Sequence, residues 1–84
     1  MIQQNIHVLL VEDDHRLALL TKEYLEFHGV TVVHVAKGED ALEVLSQNHF
    51  TAIILDIMLP DMDGYEVCRR IRTFSDVPIL MLTA

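Results

Sequence analysis

The stretch AIILD, from Ala52 to Asp56, is an unbroken apolar run that ends in a carboxylate, and it is the strongest indication of the fold in this chain. A second stretch, VLLVEDD from Val8 to Asp14, has the same form and ends in three acids. Unbroken apolar runs are typical of parallel strands that are buried on both faces. In open α/β sheets, ligands bind in the crevice beyond the carboxyl ends of the strands. The acids that close both runs therefore mark this crevice as the candidate site.

Strands and helices alternate along the rest of the chain. Apolar and β-branched runs predict strands over residues 7–11, 30–36, 50–56 and 77–83. Helical spacing predicts helices over about residues 14–28, 39–48 and 65–74. Asp13 or Asp14 offers the N-cap of the first helix, and Gly29 is its stop signal. This order predicts an α/β fold of right-handed βαβ units around one parallel sheet.

Two of these elements carry unusual apolar surface. The first helix is expected to pack one side onto the sheet, and the apolar residues at helical spacing on that side are Leu17, Leu20, Tyr24 and Phe27. The last strand has the apolar composition of a central strand on both faces, yet the chain ends one residue after Thr83. This strand is therefore expected to lie at an edge of the sheet.

Composition favours one small soluble domain. The chain has 84 residues, of which 51% are hydrophobic, and this length allows a single core. A net charge of −7 opposes binding to nucleic acid or to an anionic membrane surface through this segment. The single Cys68 excludes an internal disulfide, and the N-terminus lacks the pattern of a signal peptide, so a cytoplasmic location is expected. No apolar run approaches the roughly 20 residues that span a bilayer.

The acidic residues after the strands point to a metal site. If the first and third strands are neighbours, Glu12, Asp13 and Asp56 converge at one end of the sheet. Three close carboxylates repel one another unless a cation lies among them, and Mg²⁺ suits oxygen ligands and phosphate groups. An aspartate can act as a covalent nucleophile in phosphoryl transfer. Thr83 is placed to offer a hydroxyl to the phosphoryl group, and the small Ala84 would leave it room.

Four segments resemble the receiver domain of two-component response regulators. They are VLLVEDD (8–14), LDIMLPDMDG (55–64), YEVCRRIR (65–72) and VPILMLTA (77–84). Their order and spacing make the match specific, and the last two are most similar to regulators in which the receiver precedes a winged-helix DNA-binding domain. The resemblance implies a flavodoxin-like doubly wound parallel sheet of strand order 2-1-3-4.

The resemblance also implies a role for each acid. Asp56 would accept a phosphoryl group from a phosphohistidine on a sensor histidine kinase. Asp13 would hold Mg²⁺ together with Asp56 and the backbone carbonyl of Met58, and Glu12 would assist directly or through water. Such a domain takes part in its own phosphorylation and is not a turnover enzyme.

The same resemblance implies roles for four further residues, and it shows which parts of the family fold this chain does not cover. Thr83, with Ala84 beside it, would bind the phosphoryl group and report its presence, and Pro60 and Gly64 would shape the loop after the third strand.

The chain covers only three βα units and a fourth strand of a five-unit fold, so the last helix-strand-helix portion and its phosphoryl-binding lysine are missing. The fourth strand would then be an open edge, through which we expect self-association by edge pairing or by exchange of elements.

Two other interpretations stay open. Without the lysine, the chain could be a non-phosphorylating receiver fragment that acts as a folding or self-assembly unit. A Mg²⁺-dependent phosphatase with an aspartyl nucleophile would need a carboxylate two residues after that nucleophile, where this chain has Met58. The five histidines lack the spacing of zinc sites, and the three glycines lack the spacing of nucleotide-binding loops.

Overall fold

The computed structural model describes residues 6–82, which form a four-stranded parallel sheet with three helices. In chain order the elements are β1 (His7–Val11), α1 (His15–Phe27), β2 (Thr31–Val35), α2 (Gly38–Gln47), β3 (Ala52–Asp56), α3 (Gly64–Ile71) and β4 (Ile79–Leu82). Their order in the sheet is β2-β1-β3-β4, and every neighbouring pair is parallel. The predicted α/β fold and its strand order are confirmed.

Successive side chains of a strand point to opposite faces of the sheet. Each face is covered by different helices. Leu9, Ile53 and Leu55 point to one face, where they form the larger core with buried residues of α2 and α3. Leu10 points to the other face, where Ala18 of α1 packs in a smaller core. The sheet is thus sandwiched between two helices on one side and a single helix on the other.

Side-chain caps and turns fix the helix ends. The Asp14 carboxylate accepts the N–H of Leu17 at 3.0 Å and begins α1, which Gly29 closes with a φ of +85°. The expected end of the third helix at residue 74 is wrong, because α3 stops at Ile71. Residues 72–74 form turns, in which the N–H of Phe74 donates to the Ile71 carbonyl in the tighter three-residue pattern.

The expected packing face of α1 is also wrong. Tyr24 and Phe27 are 66% and 86% exposed, and Leu17 and Leu20 are exposed as well. The contact with the sheet is made instead through Ala18 and the half-buried Leu25. The helix α1 packs mainly against β2, and the side that carries Tyr24 and Phe27 does not face the sheet.

The edge position of β4 is confirmed, and it leaves apolar surface open. Leu80 is 60% exposed and Leu82 is 38% exposed, on the face of the sheet that carries α1. Ile79 and Met81 point the other way, where they pack against the larger core. None of the helices within residues 6–82 is long and apolar enough to cross a membrane.

Candidate functional site

Three carboxylates meet where β1 and β3 end. The strand register pairs Val11 with Leu55, so Glu12, which follows β1, lies beside Asp56, the last residue of β3. One oxygen atom from each of Glu12, Asp13 and Asp56 lies within 4.8 Å of the other two. The structure therefore brings together the three acids whose convergence was expected from the sequence.

The three acids differ in exposure, and this difference sets their electrostatics. Glu12 is buried, Asp56 is half-buried and Asp13 is exposed. Burial, together with the hydrogen bond and charge of Asp56 and the charge of Asp13, raises the pKa of Glu12 to about 7. The N–H of Asp14 acts in the opposite direction, since it donates to Glu12 Oε2 at 3.2 Å. Burial and the neighbouring carboxylates thus favour the neutral, protonated form of Glu12.

A tight loop after β3 fixes the position of Asp56. The N–H of Met58 donates to Asp56 Oδ1 at 3.1 Å. The N–H of Gly64 donates to the Ile57 carbonyl at 2.6 Å and closes the loop at the start of α3. A Cβ atom at position 64 would lie 2.7 Å from the carbonyl oxygen of Asp56, so only glycine fits there without a backbone shift.

An open cleft of about 560 Å³ lies beside the acids. Leu17 of α1 and Leu82 of β4 line its apolar sides, and Met58 lines it next to Asp56. Cavities of this size hold small ligands. Pro60 is exposed in the same loop as Met58. Thr83 and Ala84, to which the sequence analysis assigned phosphoryl contacts, lie outside the described residues.

One contact of the loop was not predicted from the sequence. The Asp61 carboxylate accepts the N–H groups of Gly38 and Glu39, both at 2.9 Å, and so caps α2. The helix needs this cap because its own N-cap residue, Lys37, makes no side-chain cap hydrogen bond. Burial alone would raise the pKa of Asp61, but the two N–H donors and the Lys37 charge outweigh it and lower the pKa. No local sequence pattern indicates a partner 23 residues away.

The donor atoms of the cluster fit Mg²⁺. Glu12, Asp13 and Asp56 offer carboxylate oxygens, and Met58 lines the same cleft. Mg²⁺ prefers such hard oxygen ligands, and it keeps several waters, which the open cleft admits. A divalent cation would also offset the carboxylate repulsion that, after burial, contributes to the raised pKa of Glu12. The arrangement is therefore an acidic pocket of the type that binds Mg²⁺.

Comparison with known proteins connects this pocket with one family. The family profile described as the response regulator receiver domain matches residues 8–84, almost the whole chain. This chain belongs to the response regulator receiver domain family. Receiver domains act in two-component signalling, so a histidine kinase is the implied partner, and the domain is a signalling module rather than a turnover enzyme.

Two curated transcriptional regulators are similar to this receiver. The probable transcriptional regulator ycf27 of Cyanidium caldarium is 41% identical over 78 residues, which cover 93% of this chain and 31% of that protein. The transcriptional regulatory protein SrrA of Staphylococcus aureus (strain NCTC 8325 / PS 47) is 39% identical over 77 residues, which cover 92% of this chain and 32% of that protein. The receiver thus spans about a third of the length of these relatives.

Two solved receiver domains share the backbone fold of this chain over the residues that superimpose. The BeF3-activated N-terminal receiver domain of Klebsiella pneumoniae RstA superimposes with a TM-score of 0.87 at 38% identity, covering 92% of this chain and 66% of that chain. The receiver domain of the Francisella response regulator 1452 gives a TM-score of 0.91 at 28% identity, covering 95% of this chain and 67% of that chain. The resemblance that the four sequence segments indicated is confirmed.

Proposed function

We propose that this receiver accepts a phosphoryl group on Asp56 from a phosphohistidine of a sensor histidine kinase, in a reaction that depends on Mg²⁺. The observation that carries this proposal is the convergence of Asp56 with Glu12 and Asp13 in an open cleft, in a chain of the receiver family. Phosphoryl transfer needs a placed nucleophile and a means of neutralising charge, and this cluster offers the nucleophile and the oxygen ligands for a cation that neutralises charge.

Asp56 supplies the nucleophile. Its Oδ1 atom accepts the N–H of Met58, which leaves Oδ2 to attack phosphorus. A bond forms between this oxygen and phosphorus while the bond between phosphorus and the imidazole nitrogen of the donor breaks. The products are an aspartyl phosphate and a kinase histidine that has lost its phosphoryl group.

The ligands proposed for Mg²⁺ are Glu12, Asp13, Asp56 and the backbone carbonyl of Met58. When bound, the ion neutralises charge on the transferring phosphoryl group. Asp13 is exposed and can meet an ion that enters from solvent, whereas the buried Glu12 forms the inner wall of the pocket. Glu12 would therefore act directly or through one of the waters that the ion retains.

Thr83 and Ala84 keep the roles that the family resemblance implies. Thr83 would donate its hydroxyl to the phosphoryl group, and Ala84 would leave space for it. Both follow Leu82, which lines the cleft and pairs in register with Asp56, and this adjacency supports the assignment. Pro60 and Gly64 would shape the loop that presents Asp56 and Met58.

Intact mass spectrometry tests the proposal. The parent is incubated with phosphoramidate, a small phosphodonor, in the presence and absence of Mg²⁺, beside Asp56→Asn and the control Asp76→Asn, which changes an exposed aspartate before β4. The parent and Asp76→Asn are expected to gain one phosphoryl group only with Mg²⁺, and Asp56→Asn is expected to gain none. Equal gain by Asp56→Asn would refute the assignment of the acceptor.

A self-assembly role is the second candidate, and exposed apolar surface supports it. Leu80 and Leu82 lie uncovered on the edge strand β4, and an uncovered edge can pair with a second copy. Light scattering at tens of micromolar is expected to report dimers for the parent and monomers for Leu80→Lys. Leu19→Lys, which changes a leucine of similar exposure on α1, is the control. A monodisperse parent monomer would contradict this role.

We infer transcriptional control as the output of signalling through this receiver. The two curated relatives are named as transcriptional regulators, which supports this inference. The net charge of −7 opposes DNA contact by this segment, so DNA binding would belong to the winged-helix domain that the resemblance implies. The lone Cys68 is consistent with the reducing cytoplasm, where the kinase would transfer its phosphoryl group.

A further inference from the structure

A histidine of β2 contacts the backbone of the acidic cluster. The Nε2 atom of His34 lies 2.7 Å from the carbonyl oxygen of Glu12, in a partly buried position. His34 pairs in register with Leu10 of β1, two residues before Glu12, so its side chain reaches along the sheet toward the acidic end. No sequence pattern indicates this contact, because the partner of His34 is a backbone atom 22 residues away.

Two further contacts hold the same backbone segment. The N–H of Glu12 donates to the carbonyl of Val35 at 3.0 Å, so β2 binds Glu12 through both its N–H and its C=O groups. The ring of His15, at the start of α1, packs edge-on against the ring of His34 at a centroid distance of 5.9 Å. His34 is therefore held on one side by α1 while it contacts Glu12 on the other.

The hydrogen bond acts on the peptide plane that joins Glu12 and Asp13, the two acids that directly follow β1. The carbonyl of Glu12 and the N–H of Asp13 belong to one rigid peptide unit, so fixing the carbonyl oxygen fixes the direction in which Asp13 leaves Glu12. A carbonyl oxygen can only accept, so the Nε2 atom of His34 must carry the proton that it donates. The contact thus selects one tautomer when the ring is neutral.

We propose that His34 is a positioning residue for the Mg²⁺ site, because it fixes the Glu12–Asp13 peptide unit so that both carboxylates face Asp56. This inference rests on the proposed Mg²⁺-dependent function, and it adds a residue that touches neither the ion nor the phosphoryl group. Partners that orient metal ligands commonly control metal affinity without binding the ion. His34 acts here through a backbone carbonyl.

The test compares Mg²⁺ dissociation constants, measured from amide chemical shifts of the Glu12–Asp13 segment during Mg²⁺ titration. His34→Val removes the donor and is expected to weaken Mg²⁺ binding about tenfold. His34→Gln places an amide donor near the Nε2 position and is expected to bind within about twofold of the parent. His7→Val makes the same change at the opposite end of the sheet and is expected to leave the affinity unchanged.

Three outcomes would overturn the inference in distinguishable ways. If His34→Val binds Mg²⁺ as tightly as the parent, His34 does not position the site, although the proposed function stands. If the parent itself shows no Mg²⁺ shifts that Asp13→Asn abolishes, both the function and the inference fail. Imidazole ¹⁵N shifts that place the neutral His34 proton on Nδ1 would also refute it. Should His34→Val not fold, His34→Asn, whose shorter amide cannot reach the carbonyl, is expected to show the same loss.

Discussion

The free energy of unfolding is expected to fall with rising pH in the parent, and Glu12→Gln is expected to abolish the part of this fall that is due to Glu12. The buried carboxyl has a pKa of about 7 in the folded protein, against a usual value of 4.5. Because the folded state holds this proton more tightly, the unfolded chain releases it first, and the free energy of unfolding falls as the pH rises from about 4.5 to above 7. Between pH 5.5 and pH 8 this difference amounts to about 2 kcal/mol.

Urea denaturation followed by circular dichroism measures this effect in metal-free buffer at pH 5.5 and pH 8. The control is Glu23→Gln, which removes the same charge from an exposed position on α1. Between pH 5.5 and pH 8, the free energy of unfolding is expected to fall by about 2 kcal/mol more in the parent and in the control than in Glu12→Gln. A loss of this size is large for a small domain, whose total stability is about 5–15 kcal/mol.

An equal pH dependence of the free energy of unfolding in Glu12→Gln and Glu23→Gln would contradict this prediction. Such a result would mean that the burial and carboxylate neighbours of Glu12 do not raise its pKa in solution. Mg²⁺ provides an internal check, because a bound cation stabilises the ionised carboxylate. Saturating Mg²⁺ is therefore expected to abolish the extra loss of the parent at pH 8.

The other predictions concern the loop and the helix ends. Asp61→Ala is expected to cost about 1 kcal/mol in urea denaturation because α2 loses its cap, with Asp76→Ala as the control. This cost should disappear as the pH falls through the lowered pKa of Asp61, where the cap becomes protonated. Gly64→Ala is expected to cost about 2 kcal/mol and to stop phosphorylation of Asp56, since the Cβ would clash with backbone. Gly29→Ala, in open space at positive φ, should cost about 1 kcal/mol and leave phosphorylation unchanged, as intact mass would show.

The sheet and the acidic cluster could be predicted from the sequence because their signals are local. Runs such as Leu9 to Val11 are apolar at every position, which is the mark of a strand buried on both faces. The acids come directly after those runs, so parallel pairing of β1 with β3 is sufficient to bring Glu12 beside Asp56. The strand order was an implication of the resemblance to receiver domains, which the four segments carry.

The packing of α1 could not be predicted because the helix offers two apolar sides. The bulkier side, which includes Tyr24 and Phe27, has the stronger hydrophobic pattern, yet Ala18 and Leu25 face the sheet. Which side is buried depends on where α1 crosses the sheet, and it lies over β2. On the same face the β4 side is open, as the exposed Leu80 indicates. Periodicity reveals an apolar side but does not say what covers it.

The contacts of Asp61 and His34 were missed for a related reason. Both side chains bind backbone groups of a distant element: Asp61 at the start of α2 and His34 at the carbonyl of Glu12. A backbone partner leaves no residue-type signal in the sequence. Such contacts become visible only when the register of the strands and the path of the loop are known.

The most direct test of the central claim is to locate the phosphoryl group on the chain. The parent is phosphorylated with phosphoramidate and Mg²⁺ and then reduced with borohydride, which converts a phosphorylated aspartate into homoserine, and its peptides are sequenced by mass spectrometry. We expect homoserine at position 56 and at no other aspartate, and none when Mg²⁺ is withheld. Homoserine at Asp13 or Asp61, or its absence at position 56 in folded protein with Mg²⁺, would contradict it.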